Sequence, residues 1–234
     1  MKRSSPISII IMGSPGAGKG TQAELVSQRF NCTYLETSKL LEASFREPKE
    51  GEYVEAEGKK YFLTEEKKLW ETGFLNSPPF VTELVVEKIQ ELFGQKKSVL
   101  FAGSPRTLEE GRIEMPLLAE LYGKENIFII VLEVGEEEVA FRNAHRRLCQ
   151  LMRHPILYSK ETEALQFCPL DGSPLVRREG LDDPEVMHVR LKEYRERTEP
   201  LLQYFKEEGF TVHTINGAQL VASVFEDIVK VLPQ

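Results

Sequence analysis

Cysteine is sparse and odd in number: Cys32, Cys149 and Cys168 are all that the 234 residues carry. Three thiols do not make a disulfide scaffold, so an apolar core must hold the fold, and a reducing compartment, the cytoplasm, is expected. Basic residues also fall short, 30 Lys and Arg against 37 Asp and Glu, leaving a net charge of −7. That balance excludes a dedicated nucleic-acid surface, so no polymeric nucleic acid is expected as a partner. No run approaches the ~18 apolar residues of a membrane span, and no membrane partner is expected. The start Met1-Lys2-Arg3 and the apolar run 7–12 imitate a signal peptide, but Gly13-Ser14-Pro15-Gly16 follows where a small-residue cleavage site would stand. There is no internal repeat. What remains is ordinary for a globular monomer with one core: 41% apolar and 29% charged residues.

Short apolar runs at 7–12, 98–102 and 127–132, with weaker ones at 33–35 and 211–215, read as buried strands. Helical periodicity fills 21–30, 82–93, 136–148, 183–208 and 218–232. Alternation of this kind predicts a three-layer α/β fold, a central parallel sheet flanked by helices. Two stretches break the rhythm. Residues 47–58 are rich in Glu, Lys and Gly, and Asn76-Ser77-Pro78-Pro79-Phe80 reads as a helix stop; residues 153–181 are rich in Pro and Gly without a period. Both read as insertions into one core.

Gly13-Ser14-Pro15-Gly16-Ala17-Gly18-Lys19-Gly20-Thr21 lies between a predicted strand and a predicted helix. Glycines allow backbone N–H groups to converge on phosphate oxygens, and the helix N-terminus adds positive potential. Lys19 is the point charge for the β- and γ-phosphates. This is a P-loop for a nucleoside triphosphate. Here Gly20 separates Lys19 from Thr21, whereas the general pattern has Ser or Thr directly after Lys.

The form Gly-x-Pro-Gly-Ala-Gly-Lys-Gly-Thr-Gln at 13–22 resembles the adenylate kinase family, and further matches cover the whole chain. The resemblance implies a P-loop NTPase-type core (1–36, 81–147, 181–234), a monophosphate-binding insert (37–80) and a lid (148–180). It implies ATP and a nucleoside monophosphate as substrates, with Mg²⁺ accompanying ATP. Gly103-Ser104-Pro105-Arg106 resembles the family's acceptor-phosphate segment, making Arg106 a clamp on the monophosphate. Arg142 and Arg146, four apart on one predicted helix, match the arginines at the lid entrance that contact ATP; Arg178 and Arg190 match those bridging donor and acceptor. Gln219, after Asn216-Gly217, falls in the loop that closes over the ATP base. ATP would thus meet Gly16, Ala17, Gly18, Lys19, Gly20, Thr21, Arg142, Arg146 and Gln219. On the acceptor side the matching positions are Thr37, Glu42, Phe74, Leu75, Asn76 and Glu110. Arginine suits such sites because its fork stays charged and binds phosphate bidentately.

Four positions depart from the family pattern, all on the acceptor or metal side. Ala102 replaces an aspartate that orients the hydration shell of Mg²⁺. In the run Thr37-Ser38-Lys39-Leu40-Leu41-Glu42, Glu42 replaces a phosphate-binding arginine, with Arg46 one turn away. Glu110 replaces an adenine-reading glutamine; a carboxylate only accepts hydrogen bonds and would favour guanine. Asn76-Ser77 replaces part of an apolar base pocket. An adenylate kinase, a variant with changed acceptor such as GMP, a non-nucleotide phosphotransferase and a weakened nucleotide-binding relative all remain open. In the lid, Cys149 and Cys168-Pro169-Leu170-Asp171 fall where many bacterial relatives bind zinc, but the second ligand position reads Met152. His154 could substitute, giving a Cys149/His154/Cys168/Asp171 zinc site; a metal-free lid with relict ligands is the alternative.

Overall fold

The five expected strands are present and parallel. The computed structural model describes residues 5–47, 49–177 and 183–233. Its central sheet holds β1 (Ser8–Gly13), β2 (Cys32–Leu35), β5 (Ser98–Phe101), β6 (Ile127–Glu133) and β10 (Val212–Asn216) in the order β10-β6-β1-β5-β2. Strand β1 is central, with Ser8 level with Val99 on one side and Ile127 on the other.

Alternation along β1 divides the core into two layers. Ile10 and Met12 pack with Phe80, Met115, Leu118, Leu201 and Phe205, whereas Ile9 and Ile11 pack with Ala23, Val26, Val224 and Ile228. The first layer is covered by α4 (Pro78–Gly94), α5 (Leu108–Tyr122) and α8 (Pro200–Glu207), the second by α1 (Lys19–Phe30) and α9 (Val221–Val231). Both faces of a parallel sheet are thereby buried, which is why its strands read as continuous apolar runs.

The first departure from the core rhythm lies between β2 and α4. It holds α2 (Thr37–Ser44), an antiparallel hairpin of β3 (Tyr53–Ala56) and β4 (Lys59–Phe62), and α3 (Leu63–Glu71). Pro78 and Pro79 do not stop a helix, as expected, but open α4: at the first helical positions a missing N–H costs nothing. The second departure is a small sheet of β7 (Arg147–Cys149), β8 (Pro155–Ile156) and β9 (Leu175–Val176).

Three helical expectations need correction. The helix foreseen over 136–148 is α6 (Glu136–Ala144); it ends early because 147–149 is drawn into β7, so Arg142 and Arg146 do not share a helix face. The helix over 183–208 divides into α7 (Pro184–Glu193), a π turn at Tyr194–Thr198 and α8. Pro200 cannot donate to a carbonyl four residues back, and Glu199 N instead reaches Tyr194 O at 2.9 Å, a five-residue step. Helix α5 was not foreseen. Gly111 and Pro116 obscure its period, yet Gly111 is what the packing needs, since a Cβ there would meet Leu201 Cδ2 at 2.5 Å. Among the described residues no helix is long and apolar enough to cross a membrane.

Candidate active site

The carboxyl ends of β1, β2, β5 and β10 open onto one cleft of about 450 Å³, the place where open α/β sheets take ligands. Its floor is the loop from Gly13 to Lys19. Gly16 has φ +93°, and a Cβ there would lie 2.6 Å from Asn143 Nδ2, so only glycine lets the loop pass under α6. Lys19, the first residue of α1, donates from Nζ to Gly13 O at 2.6 Å and Ser14 O at 2.9 Å. Gly20 and Thr21 follow on the cleft wall.

Four cations converge. Lys19, Arg106, Arg146 and Arg190 come from α1, the loop after β5, the junction of α6 with β7, and α7, and all four line the cleft. Burial, then Arg106, Arg190 and Arg146, push the Lys19 pKa well below its ordinary value. A pocket that concentrates positive charge at such cost in a protein of net charge −7 fits a polyanion. Arg142 pairs with Glu138 through Nε at 2.7 Å and also lines the cleft, as does Gln219, which donates to Asn216 O and Asp227 Oδ2, both at 3.0 Å. Arg178 lies outside the described residues; neighbouring Arg177 donates to Ala144 O.

On the other side, Arg106 Nε donates to Gly103 O at 2.7 Å, which curls the loop 103–106 round its own guanidinium. Gly103, Ser104 and Pro105 line the cleft with it. Phe74 and Leu75 reach the lining from beyond α3 because Gly73, at φ +86°, lies against α7; a Cβ there would meet Val186 Cγ1 at 2.8 Å. Leu75 N donates to Glu193 Oε2 at 3.1 Å and completes that contact.

Four expected acceptor residues do not line the cleft. Glu110 is buried behind it. One carboxylate oxygen accepts from Arg106 N at 2.7 Å, the other from Thr107 Oγ1 at 3.2 Å, while Thr107 caps α5 by accepting from Glu110 N. This is a capping arrangement that fixes the Arg106 loop. Asn76 is also turned away, donating to Glu66 O at 2.7 Å and Glu66 Oε2 at 2.9 Å. Thr37 is buried at the start of α2, Glu42 is exposed on that helix, and Arg46, beyond its end, is exposed as well.

The structure adds residues that sequence reasoning missed. Tyr34, Glu36 and Ser38 line the cleft beside Arg106. Phe141, His145 and Tyr158 stack at its rim, with Phe141–His145 centroids 4.2 Å apart and His145–Tyr158 4.4 Å. Phe141 and His145 are one helical turn apart, a signal visible in sequence; Tyr158 joins them only because the small sheet folds back.

In that small sheet Cys149, His154, Cys168 and Asp171 come together, their ligand atoms within 4.8 Å of one another. His154 Nδ1 is 3.1 Å from Cys149 Sγ, and Nε2 is 3.0 Å from Cys168 Sγ. Asp171 Oδ1 accepts from Ser173 N, but Oδ2 is buried without a hydrogen-bond partner.

Comparison with known proteins agrees with this geometry. The family model described as adenylate kinase matches residues 11–210. The chain is 31% identical over 229 residues to an adenylate kinase of Petrotoga mobilis, covering 96% of each chain. It is 31% identical over 228 residues to one of Oceanobacillus iheyensis, covering 97% of this chain and 99% of the relative. It is 32% identical over 221 residues to one of Chlamydia pneumoniae, covering 94% and 95%.

Proposed function

The chain belongs to the adenylate kinase family of nucleoside monophosphate kinases, and from that premise we propose that it transfers the γ-phosphoryl group of ATP to AMP. The observation that carries the reading is the convergence of Lys19, Arg106, Arg146 and Arg190 from separate elements on one cleft. Phosphoryl transfer asks little covalent chemistry of a protein; it asks for alignment and for neutralisation of charge spreading over the transferred group. Lys19 and Arg146 stabilise that group, Arg190 and Arg178 bridge donor and acceptor, and Arg106 seats the acceptor phosphate. The loop 13–21 holds the triphosphate, with Arg142 and Gln219 near its base.

Adenine is favoured over guanine as the acceptor base, because both Glu110 oxygens are already engaged with the Arg106–Thr107 backbone and hydroxyl. Residues 37–80 and 148–180 act as acceptor-side and lid inserts on the core, and their closure excludes water from the transfer. The Thr21 hydroxyl, on the cleft wall, is a hard oxygen donor that would help hold Mg²⁺, which when bound with ATP would supply neutralisation of phosphate charge. In the lid, Cys149, His154, Cys168 and Asp171 hold a zinc ion: the donor set is two thiolates, an imidazole and a carboxylate, and the unpartnered Asp171 Oδ2 points to a missing ligand.

A coupled ADP-release assay over AMP, GMP, CMP and UMP tests the reading. AMP is expected to give the highest kcat/KM. Tight ATP binding without turnover on any acceptor would instead identify a binding protein, and turnover led by GMP would return the base-reading role to Glu110.

A further inference from the structure

Glu36 stands one residue beyond β2. The register that pairs Leu35 with Phe101 brings the next residues, Glu36 and Ala102, side by side where the two strands open onto the cleft. Both line it. Ala102 is the position at which the family pattern has a carboxylate. Glu36 therefore puts a carboxylate back into the same row of strand ends, one strand over.

The chemistry of the cleft makes this position conspicuous. A carboxylate facing Lys19, Arg106, Arg146 and Arg190 repels incoming phosphates unless a cation and its water shell lie between them. The other lining carboxylates, Glu138 and Glu193, are held by Arg142 and by Arg197 with Leu75 N. Glu36 is partnered instead by near neighbours in sequence: Ser38 Oγ donates to Oε1 at 2.8 Å, and Lys39, mostly exposed, pairs with Oε2 at 3.0 Å. A pairing with so exposed a lysine is weak and exchangeable. Glu36 is also close enough to the acceptor arginine for its charge to act on Arg106, alongside Glu110. On the donor side Tyr34, two residues back, places its hydroxyl 3.7 Å from where a Cβ on Gly20 would stand. Glu36 thus lies in the cleft near the acceptor arginine, just past a strand whose Tyr34 reaches the triphosphate loop.

We propose that Glu36 is a positioning residue for Mg²⁺, accepting hydrogen bonds from its water shell in place of the carboxylate absent at Ala102. Thr21 and Glu36 are both hard oxygen donors, and Mg²⁺ characteristically keeps most of its waters while using few protein ligands. The inference rests on the reading of the cleft as the joint donor and acceptor site. It differs from the family pattern in the strand that supplies the carboxylate.

Calorimetric titration of the full chain with diadenosine pentaphosphate, once with Mg²⁺ and once with EDTA, tests it without relying on turnover. For the unsubstituted protein, Mg²⁺ is expected to tighten binding. Glu36→Gln, which keeps the Ser38 contact, should reduce that Mg²⁺-dependent gain by about tenfold, the equivalent of one charge-assisted hydrogen bond, with affinity in EDTA unchanged or tighter. Glu36→Asp should retain part of the gain. An unchanged gain in Glu36→Gln would overturn the proposal, as would a parallel loss in both conditions, which would mark a purely local role at the start of α2. If the unsubstituted protein binds the dinucleotide in neither condition, the reading of the cleft itself fails, an outcome distinct from the first two.

Discussion

Ser104 Oγ donates a 2.7 Å hydrogen bond to Glu114 Oε1, and both side chains are buried behind the loop that carries Arg106. The other Glu114 oxygen has no hydrogen-bond partner. Burial first, then the charge of Glu110, push the Glu114 carboxyl well above the usual carboxylate range, against the pull of the Ser104 bond. Glu110 is raised too, chiefly by burial, but its hydrogen bond from Arg106 N opposes the shift. The neutral form of Glu114 is therefore the one that suits the fold.

A pH dependence of stability follows from that shift. A carboxyl whose folded pKa exceeds its unfolded value stabilises fully below the unfolded pKa, about 4.3 for Glu, and loses that contribution as pH rises toward the folded pKa. Glu114→Gln keeps an uncharged acceptor for Ser104 and removes the titration. Its melting temperature is expected to exceed that of the unsubstituted protein by a margin that widens from pH 5 to pH 8. Curves that run parallel over this range would show that Glu114 does not titrate there.

The cationic cluster predicts separable kinetic effects. Lys19→Met should lower kcat by roughly 10²–10³-fold, the usual consequence of removing one group that meets developing charge. Arg106→Lys keeps the charge but loses the fork, so its main effect should be a higher KM for the monophosphate with KM for ATP nearly unchanged. Steady-state kinetics with each substrate varied in turn separates the two.

Zinc in the small sheet is checked by elemental analysis of protein purified without chelator. A zinc ion per chain is expected, lost on His154→Ala, because thiolate, imidazole and carboxylate form a closed structural set only together. Limited proteolysis should then cut the segment between Cys149 and Cys168 faster. Equal digestion rates with and without His154 would favour a metal-free lid.

How much was legible depended on whether a feature is local. The strands were, because burial on both faces leaves an unbroken apolar run such as 127–132, and so was the phosphate loop, whose chemistry lies in consecutive residues. Helix α5 was hidden because Gly111 and Pro116 interrupt its period, and Gly111 is there for close packing against Leu201. The end of α6 was misplaced because β7 competes for the same residues. The partners of Glu110, Arg106 N and Thr107 Oγ1, sit four and three residues back in a capping pattern that sequence does contain. Glu36 had no signal of its own until strand register placed it beside Ala102.

The rim stack of Phe141, His145 and Tyr158 gives the last prediction. Phe141 is exposed at the end of α6, yet it lies against His145 at 4.2 Å and edge-on to Tyr158 at 5.4 Å. An exposed Phe141 ring on the lip of the cleft, next to Arg142 and backed by half-buried His145 and Tyr158, offers a face on which a purine can stack. They also join α6 to the small sheet, so a base that stacks there helps hold the lid against the core. Phe141→Ala should raise KM for ATP about tenfold, on the order of one aromatic contact, and leave KM for the monophosphate within about twofold. The effect should be smaller for a pyrimidine triphosphate, whose single ring covers less of the stack. If KM for the monophosphate rises equally, the stack acts through lid closure alone and not by meeting the donor base.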